Sequence, residues 1–242
     1  MKAAIVIPAR YQSSRFPGKP LVQILGKSLI QRVWERCRGV VPDEHIFVAT
    51  DDRRISSHCA EFGARTLMTS PNCLTGTDRV AEAAEQIACP TIINVQGDEP
   101  LISPEDVAVV LAAALARPDL VHNAVCPIVT DDDFRNRNVP KVVIRSDCQL
   151  LYMSRAAIPG TKDDKFTAAL RQVCIYGFSR DHLRLFAKQS TKSPLEALED
   201  IEILRFLEMG VPVQMTHLRE STHAVDVPED VAKIERILRE RQ

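Results

Sequence analysis

The chain has 242 residues, with 31 Lys and Arg against 32 Asp and Glu for a formal net charge of −1, enough for one large core and no bulk charge toward nucleic acid or a membrane surface. No run approaches the roughly 18 consecutive apolar residues of a membrane helix, and Met1 to Ile7 passes into an arginine-bearing loop without the pattern of a signal peptide, so the expectation is a soluble cytoplasmic protein. Seven scattered cysteines with no C-x-x-C argue against a disulfide framework or structural zinc and read as small buried hydrophobes.

The apolar run Ala3 to Ile7 predicts a buried strand, and Pro8-Ala9-Arg10-Tyr11-Gln12-Ser13-Ser14-Arg15-Phe16-Pro17-Gly18-Lys19-Pro20-Leu21 follows it. Glycine lets backbone approach anionic oxygens, and guanidinium forks fit phosphate, so this segment reads as a polyphosphate site. It is longer than the usual connection of about 2–6 residues. It carries neither G-x-G-x-x-G nor G-x-x-x-x-G-K-[ST], so neither a Rossmann oxidoreductase nor a P-loop protein is supported. Leu29 to Arg38 has helical periodicity, and Ile46 to Thr50 is the next strand. Asp51 and Asp52 then read as caps of a helix beginning near Arg53. Thr75-Gly76-Thr77-Asp78-Arg79 opens a helical pattern, Asp78 to Ala88; Thr75 or Thr77 can be the N-cap, and the segment can also touch a nucleobase or ribose. Thr91 to Val95 is a strand leading into Gln96-Gly97-Asp98-Glu99-Pro100. Ser103 caps a helix over Pro104 to Ala116, and Val121 to Ile128 is strand.

Further strands are predicted at Val142 to Arg145, Val173 to Phe178 and Val211 to Leu218, with late helices over Leu195 to Met209 and Pro228 to Arg241. Alternating strand and helix in the first half predicts an α/β, Rossmann-like architecture: a mostly parallel mixed sheet with helices on both faces. Fewer helices accompany the strands around Lys141 to Met153 and Arg171 to Phe178. This predicts antiparallel strands or an excursion that shapes a second pocket or a subunit contact. With no linker or repeat, residues 1–242 read as one domain with an irregular portion at about 130–195.

Ligands of open parallel sheets bind beyond the carboxyl ends of the strands. Three polar clusters fall there: the basic loop, Gln96 to Pro100, and Ala224-Val225-Asp226-Val227-Pro228-Glu229-Asp230. Asp98 and Asp226 are the candidate metal ligands, since magnesium is typically held by one or two carboxylates plus substrate phosphates. Alone, Asp98 could be a turn residue and Asp226 part of a helix start. The six histidines have no triad-like setting, and His223, the one near Asp226, reads as a surface residue.

The motifs P-A-R-Y-x-S-S-R-F-P-G-K-P-L, N-V-Q-G-D-E-P and V-D-V-P-E-D together resemble the CMP-KDO synthetase (3-deoxy-manno-octulosonate, KDO, cytidylyltransferase) family of acidic-sugar cytidylyltransferases. Lys141-Val142-Val143, Leu151 to Arg155, Ile175 to Phe178 and Ser193 to Glu196 extend the likeness over nearly the whole chain. The resemblance implies a nucleotidyltransferase, usually a homodimer, that converts CTP and KDO to CMP-KDO and pyrophosphate with Mg2+ for lipopolysaccharide or a related glycan. It implies triphosphate contacts from Arg10, Ser13, Ser14, Arg15 and Lys19, and cytidine contacts from Thr75, Gly76, Arg79 and Gln96. Asp98 and Asp226 would hold the metal; Arg155, Gln172, Tyr176 and Glu202 would meet the acceptor. Arg15, Lys19, Asp98 and Asp226 would then carry the catalysis.

Gln172 and Cys174 stand where the family usually has His and Gly, Ile203 replaces Gln after Glu202, Pro140 replaces Val, and Val227 replaces Thr. The acceptor half thus departs from the pattern. A modified octulosonate, a nonulosonate or another anionic acceptor stays open, as does a catalytically silent nucleotide-binding protein.

Overall fold

Every residue of β1 (Ala3–Ala9) is buried, as a strand covered on both faces must be. The computed structural model describes residues 2–13, 16–219 and 223–240. After β1 come a two-stranded ribbon, β2 (Gln23–Ile24) and β3 (Lys27–Ser28), and α1 (Leu29–Cys37), whose first turn is capped by Ser28. β4 (Ile46–Thr50) leads into α2 (Arg53–Glu61), where Asp52 accepts from the Arg54 N–H as expected of a cap. Then follow β5 (Arg65–Met68), α3 (Gly76–Ala84), β6 (Thr91–Val95) and α4 (Pro104–Ala116), the last capped by Ser103. β7 (Val121–Ile128), α5 (Asp131–Arg135), β8 (Lys141–Ile144), β9 (Leu150–Ser154) and β10 (Ala169–Ser179) come next. The chain continues through α6 (Arg180–Ala187), α7 (Pro194–Glu199), α8 (Leu204–Glu208), β11 (Val213–His217) and α9 (Pro228–Glu240).

The main sheet has the order β11-β7-β10-β6-β1-β4-β5, with β8 and β9 added along the first part of β10. β1, β4, β5 and β6 are mutually parallel, and so are β7 and β11; β10 runs antiparallel to both β6 and β7 and joins the two blocks. Alternation along β1 assigns the two faces. Ile5 and Ile7 pack with α1, α2, α4 and α9 through Leu29, Val33, Ile55, Val107 and Ile234. Ala4 and Val6 pack with α3, α6 and α8 through Val80, Leu183, Phe186 and Phe206. A small third cluster, Ile128, Phe134, Val139 and Ala169, lies under the irregular stretch predicted at 130–195.

Some expectations change. The helix predicted over Leu195 to Met209 is two helices, because Asp200 takes the left-handed conformation (φ 51, ψ 47) and ends α7. β5, half exposed at the sheet edge, and α6, directly continuous with β10, carry too little contrast with their flanks to stand out in the sequence. Cys37, Cys59, Cys89 and Cys126 are buried as expected, whereas Cys73, Cys148 and Cys174 are partly exposed.

Candidate active site

The carboxyl ends of β1 and β6 and the beginning of antiparallel β10 open on one cleft of about 650 Å³. Arg10 and Ser13 line it. The first loop is closed by the Gly18 N–H donating to Tyr11 O at 2.8 Å, with Gly18 at φ +72 and the Arg54 guanidinium 3.3 Å from the centre of the Tyr11 ring. Ser14 and Arg15 lie outside the described residues.

Lys19 is the junction of the three clusters. Its ammonium donates to Asp98 Oδ2 at 2.8 Å and to Val225 O at 2.9 Å, and lies 4.0 Å from Asp226 Oδ1. The Val225 N–H donates to Asp98 O at 2.9 Å, so main chain as well as side chains ties residues 224–226 to the end of β6. Gly97 makes the turn before Asp98 possible: a Cβ there would stand 2.6 Å from Pro8 O. At the start of α9, the N–H groups of Asp226 and Val227 donate to Asp230 Oδ2, so Asp230 does the work of a helix start. A lysine ammonium thus sits within reach of two carboxylates. Among the described residues no group of three or more His, Cys, Asp or Glu could hold a metal ion.

Thr75, Gly76, Arg79 and Gln96 line the cleft on the α3 side. Thr75 is the N-cap, accepting from the Asp78 N–H and donating to Asp78 Oδ2 at 2.6 Å. The Gly76 and Thr77 N–H groups donate to the two oxygens of Glu202 at 3.0 and 2.8 Å. Burial pushes the Glu202 carboxyl up, against the opposing pull of these donors. Arg205 grips Asp78 at 2.8 Å and Glu196 at 2.6 and 2.7 Å, with Arg205 and Glu196 fully buried. The Arg79 guanidinium is turned to Thr69 Oγ1 at 2.5 Å and to Asp51 at 3.4 Å.

Arg155, Gln172 and Tyr176 line the other end. Gln172 Nε2 donates to Asn123 Oδ1 at 3.0 Å and to the Tyr176 hydroxyl at 3.2 Å. Asn123 in turn donates to the carbonyls of Val173 and Ile175, where the pairing of β10 with β7 shifts register between Val173 and Tyr176. Burial raises both the Tyr176 phenol and the neighbouring Cys174 thiol well above their ordinary ranges. The Arg155 guanidinium donates to the carbonyls of Glu199, Arg137 and Asp200, so it builds the wall it lines. Ile201 and Glu202 line the cleft but Ile203 is buried in the core on the α3 side, so its change of type alters packing rather than an acceptor contact. Sequence reasoning missed Arg137, Arg171 and Lys192, which add cations to this end. Arg171 is next to Gln172 in β10, but only the pairing with β8 shows where that strand lies.

A family model described as cytidylyltransferase matches residues 4–220. The chain is 41% identical to the mitochondrial 3-deoxy-manno-octulosonate cytidylyltransferase of Arabidopsis thaliana, over 98% of this chain and 83% of that protein. It is 40% identical to the 3-deoxy-manno-octulosonate cytidylyltransferase of Syntrophotalea carbinolica, over 99% of each. The solved structure of CMP:2-keto-3-deoxy-manno-octonic acid synthetase complexed with CTP superposes with a TM-score of 0.92 at 35% identity, covering all of both chains. A cytidylyltransferase from Leptospira borgpetersenii shares the fold at a TM-score of 0.64 and 16% identity, over 97% of this chain and 85% of that one.

Proposed function

Because this chain belongs to the cytidylyltransferase family and is a nucleotidyltransferase, we propose that it joins the CMP moiety of CTP to 3-deoxy-manno-octulosonate, releasing pyrophosphate. The observation that carries the reading is the meeting of Lys19, Asp98 and Asp226, from three distant segments, in a cleft whose far end is lined by Arg137, Arg155, Arg171 and Lys192. Phosphates belong at the first end and an acidic sugar at the second.

The anomeric hydroxyl of the sugar acid attacks the α-phosphorus; the new P–O bond forms as the bond to the bridging oxygen of the leaving pyrophosphate breaks, and the hydroxyl proton passes to solvent water. Such a displacement asks for in-line positioning and charge neutralisation more than for a protein nucleophile. Arg10, Ser13, Ser14, Arg15 and Lys19 hold the triphosphate, and Lys19 with Arg15 takes up the charge that grows on pyrophosphate. Thr75, Gly76, Arg79 and Gln96 receive the cytidine, with α3 held in place by Glu202 and Arg205. Asp98 and Asp226 hold Mg2+, which when bound supplies polarisation of the phosphate and a lower pKa for the attacking hydroxyl. Gln172 and Tyr176 form the floor of the acceptor end.

Gln172, which lines the cleft where the family usually has His, is the ground for a second acceptor within the same reaction: an octulosonate carrying a different substituent. The test is pyrophosphate release with each of the four nucleoside triphosphates against a panel of sugar acids. CTP with 3-deoxy-manno-octulosonate is the expected pair. Faster turnover with a substituted octulosonate would transfer the assignment to that sugar, and no release from any pair would overturn the reading.

In this reading the chain forms one nucleotidyltransferase domain that works in the cytoplasm, in lipopolysaccharide or related glycan synthesis, as a homodimer. Residues 130–195 serve acceptor binding and dimerisation. Exposed Leu151 on edge strand β9, 55% accessible, supports a subunit contact there, and Leu198 on α7, 82% accessible, extends it just past residue 195. Among the described residues no helix is long and apolar enough to cross a membrane.

A further inference from the structure

Lys141, the first residue of β8, is fully buried and makes no ion pair among the described residues. Its ammonium donates instead to three main-chain carbonyls: Asn136 O at 2.8 Å, Val139 O at 2.6 Å and Arg155 O at 2.8 Å. An ammonium offers three donors and no acceptor, so donors and carbonyls match one for one. A neutral amine would turn its lone pair toward one of those oxygens. The carbonyls belong to the chain that walls the acceptor end, where Arg137, Asn138 and Arg155 line the cleft. Arg155 passes the tie onward through its own bonds to the carbonyls of Arg137, Glu199 and Asp200.

We propose that Lys141 is a positioning residue for the acceptor half of the reaction: by clamping the 136–139 turn to the residue after β9, it sets where Arg137, Asn138 and Arg155 stand. The inference rests on assigning that end of the cleft to the sugar acid. Burial lowers the Lys141 pKa from 10.5 to about 8; Arg155 after β9 and Arg171 on β10 push the same way, and Glu199 at the end of α7 opposes them. The full set of three donors is therefore present at neutral pH and lost as pH rises past about 8.

The experiment compares wild type with Lys141→Met in the full chain. Hydrogen exchange at neutral pH should be faster by about tenfold or more across 136–140 in the variant and unchanged in β1 and β6. KM for the sugar acid should rise about tenfold while KM for CTP stays within about twofold, a split that a general loss of stability does not produce. In wild type the sugar-acid KM should climb as pH passes about 8, and the variant should lack that climb. If Lys141→Met fails to fold, the wild-type pH series decides alone, and a flat series overturns the proposal. Unchanged exchange across 136–140, or faster exchange with an unchanged sugar-acid KM, overturns the role of Lys141 alone. Absence of turnover with every sugar acid overturns the acceptor reading and the inference with it.

Discussion

Two carboxylates facing one ammonium make each of the three side chains answerable to the others. Asp98→Asn and Asp226→Asn are expected to lower turnover by about two orders of magnitude or more each while leaving the thermal transition in place; near-normal rates with magnesium in both variants would dismiss the metal assignment. Gly97 is constrained differently, by contact with the backbone of β1. Gly97→Ala sets a methyl 2.6 Å from Pro8 O, so β1 or the turn must move. The variant should lose roughly 1–3 kcal/mol in thermal unfolding, with a matching loss of activity because Asp98 moves with the turn. Lys141 has its own signature in stability. Since folding lowers its pKa from 10.5 to about 8, the folded chain releases between those values a proton that the unfolded chain keeps, and this group's contribution to stability rises with pH across that window. Lys19, Asp98 and Asp226 could be read from the sequence because each lies in a short polar insertion after an apolar run. Arg155 and Glu202 could be named as candidates, but their partners, main-chain atoms some 44 and 126 positions away, leave no trace in local pattern. Arg205 gave no signal at all and Lys141 only its place in the Lys141-Val142-Val143 likeness, since a charge among apolar neighbours does not reveal what surrounds it when buried.

At the scale of elements, one side of the cleft is the N-terminus of α3, and it is held from behind by the α7–α8 pair. Glu196 on α7 and Asp78 on α3 share Arg205 of α8, whose guanidinium also lies 3.7 Å from the centre of the Phe186 ring. Arg205→Met should cost on the order of 3–5 kcal/mol, because it leaves the buried Glu196 without its counter-charge, and thermal unfolding reads this directly. Glu202→Gln keeps the shape but turns an amide N–H2 against the N–H of Gly76 or Thr77. A loss of roughly 1–3 kcal/mol and a raised KM for CTP with little change in the sugar-acid KM are expected. Such a division between substrates would mark Glu202 as a support of the nucleotide half, not a sugar contact. The sequence prepared this arrangement only in part. The cap Thr75 and the helix after it were legible from their periodicity, whereas the break at Asp200, which lets Glu196 and Arg205 face each other, depends on one left-handed residue without glycine to announce it.

For the whole molecule, the alternating first half declared a parallel sheet, and the loss of alternation after about residue 130 declared a change without its form. The sequence predicts a strand over Val173 to Phe178 and allows antiparallel strands there; the full length of β10 and its place between β6 and β7 follow from partners far away in the chain. Light scattering should give the mass of a dimer, near twice the 27.0 kDa of the chain, and Leu198→Glu should shift it toward monomer; a monomer in wild type would remove the proposed contact. β10 is also one continuous strand whose beginning is bonded to β8, beside the proposed sugar-acid wall, and whose later residues are bonded to β6, which delivers Gln96 and Asp98. Two guests thus share a single girder. Whatever factor the nucleotide contributes to the grip on the sugar acid, the sugar acid must return to the nucleotide in equal measure, so paired titrations of either ligand in the presence of the other close a thermodynamic box.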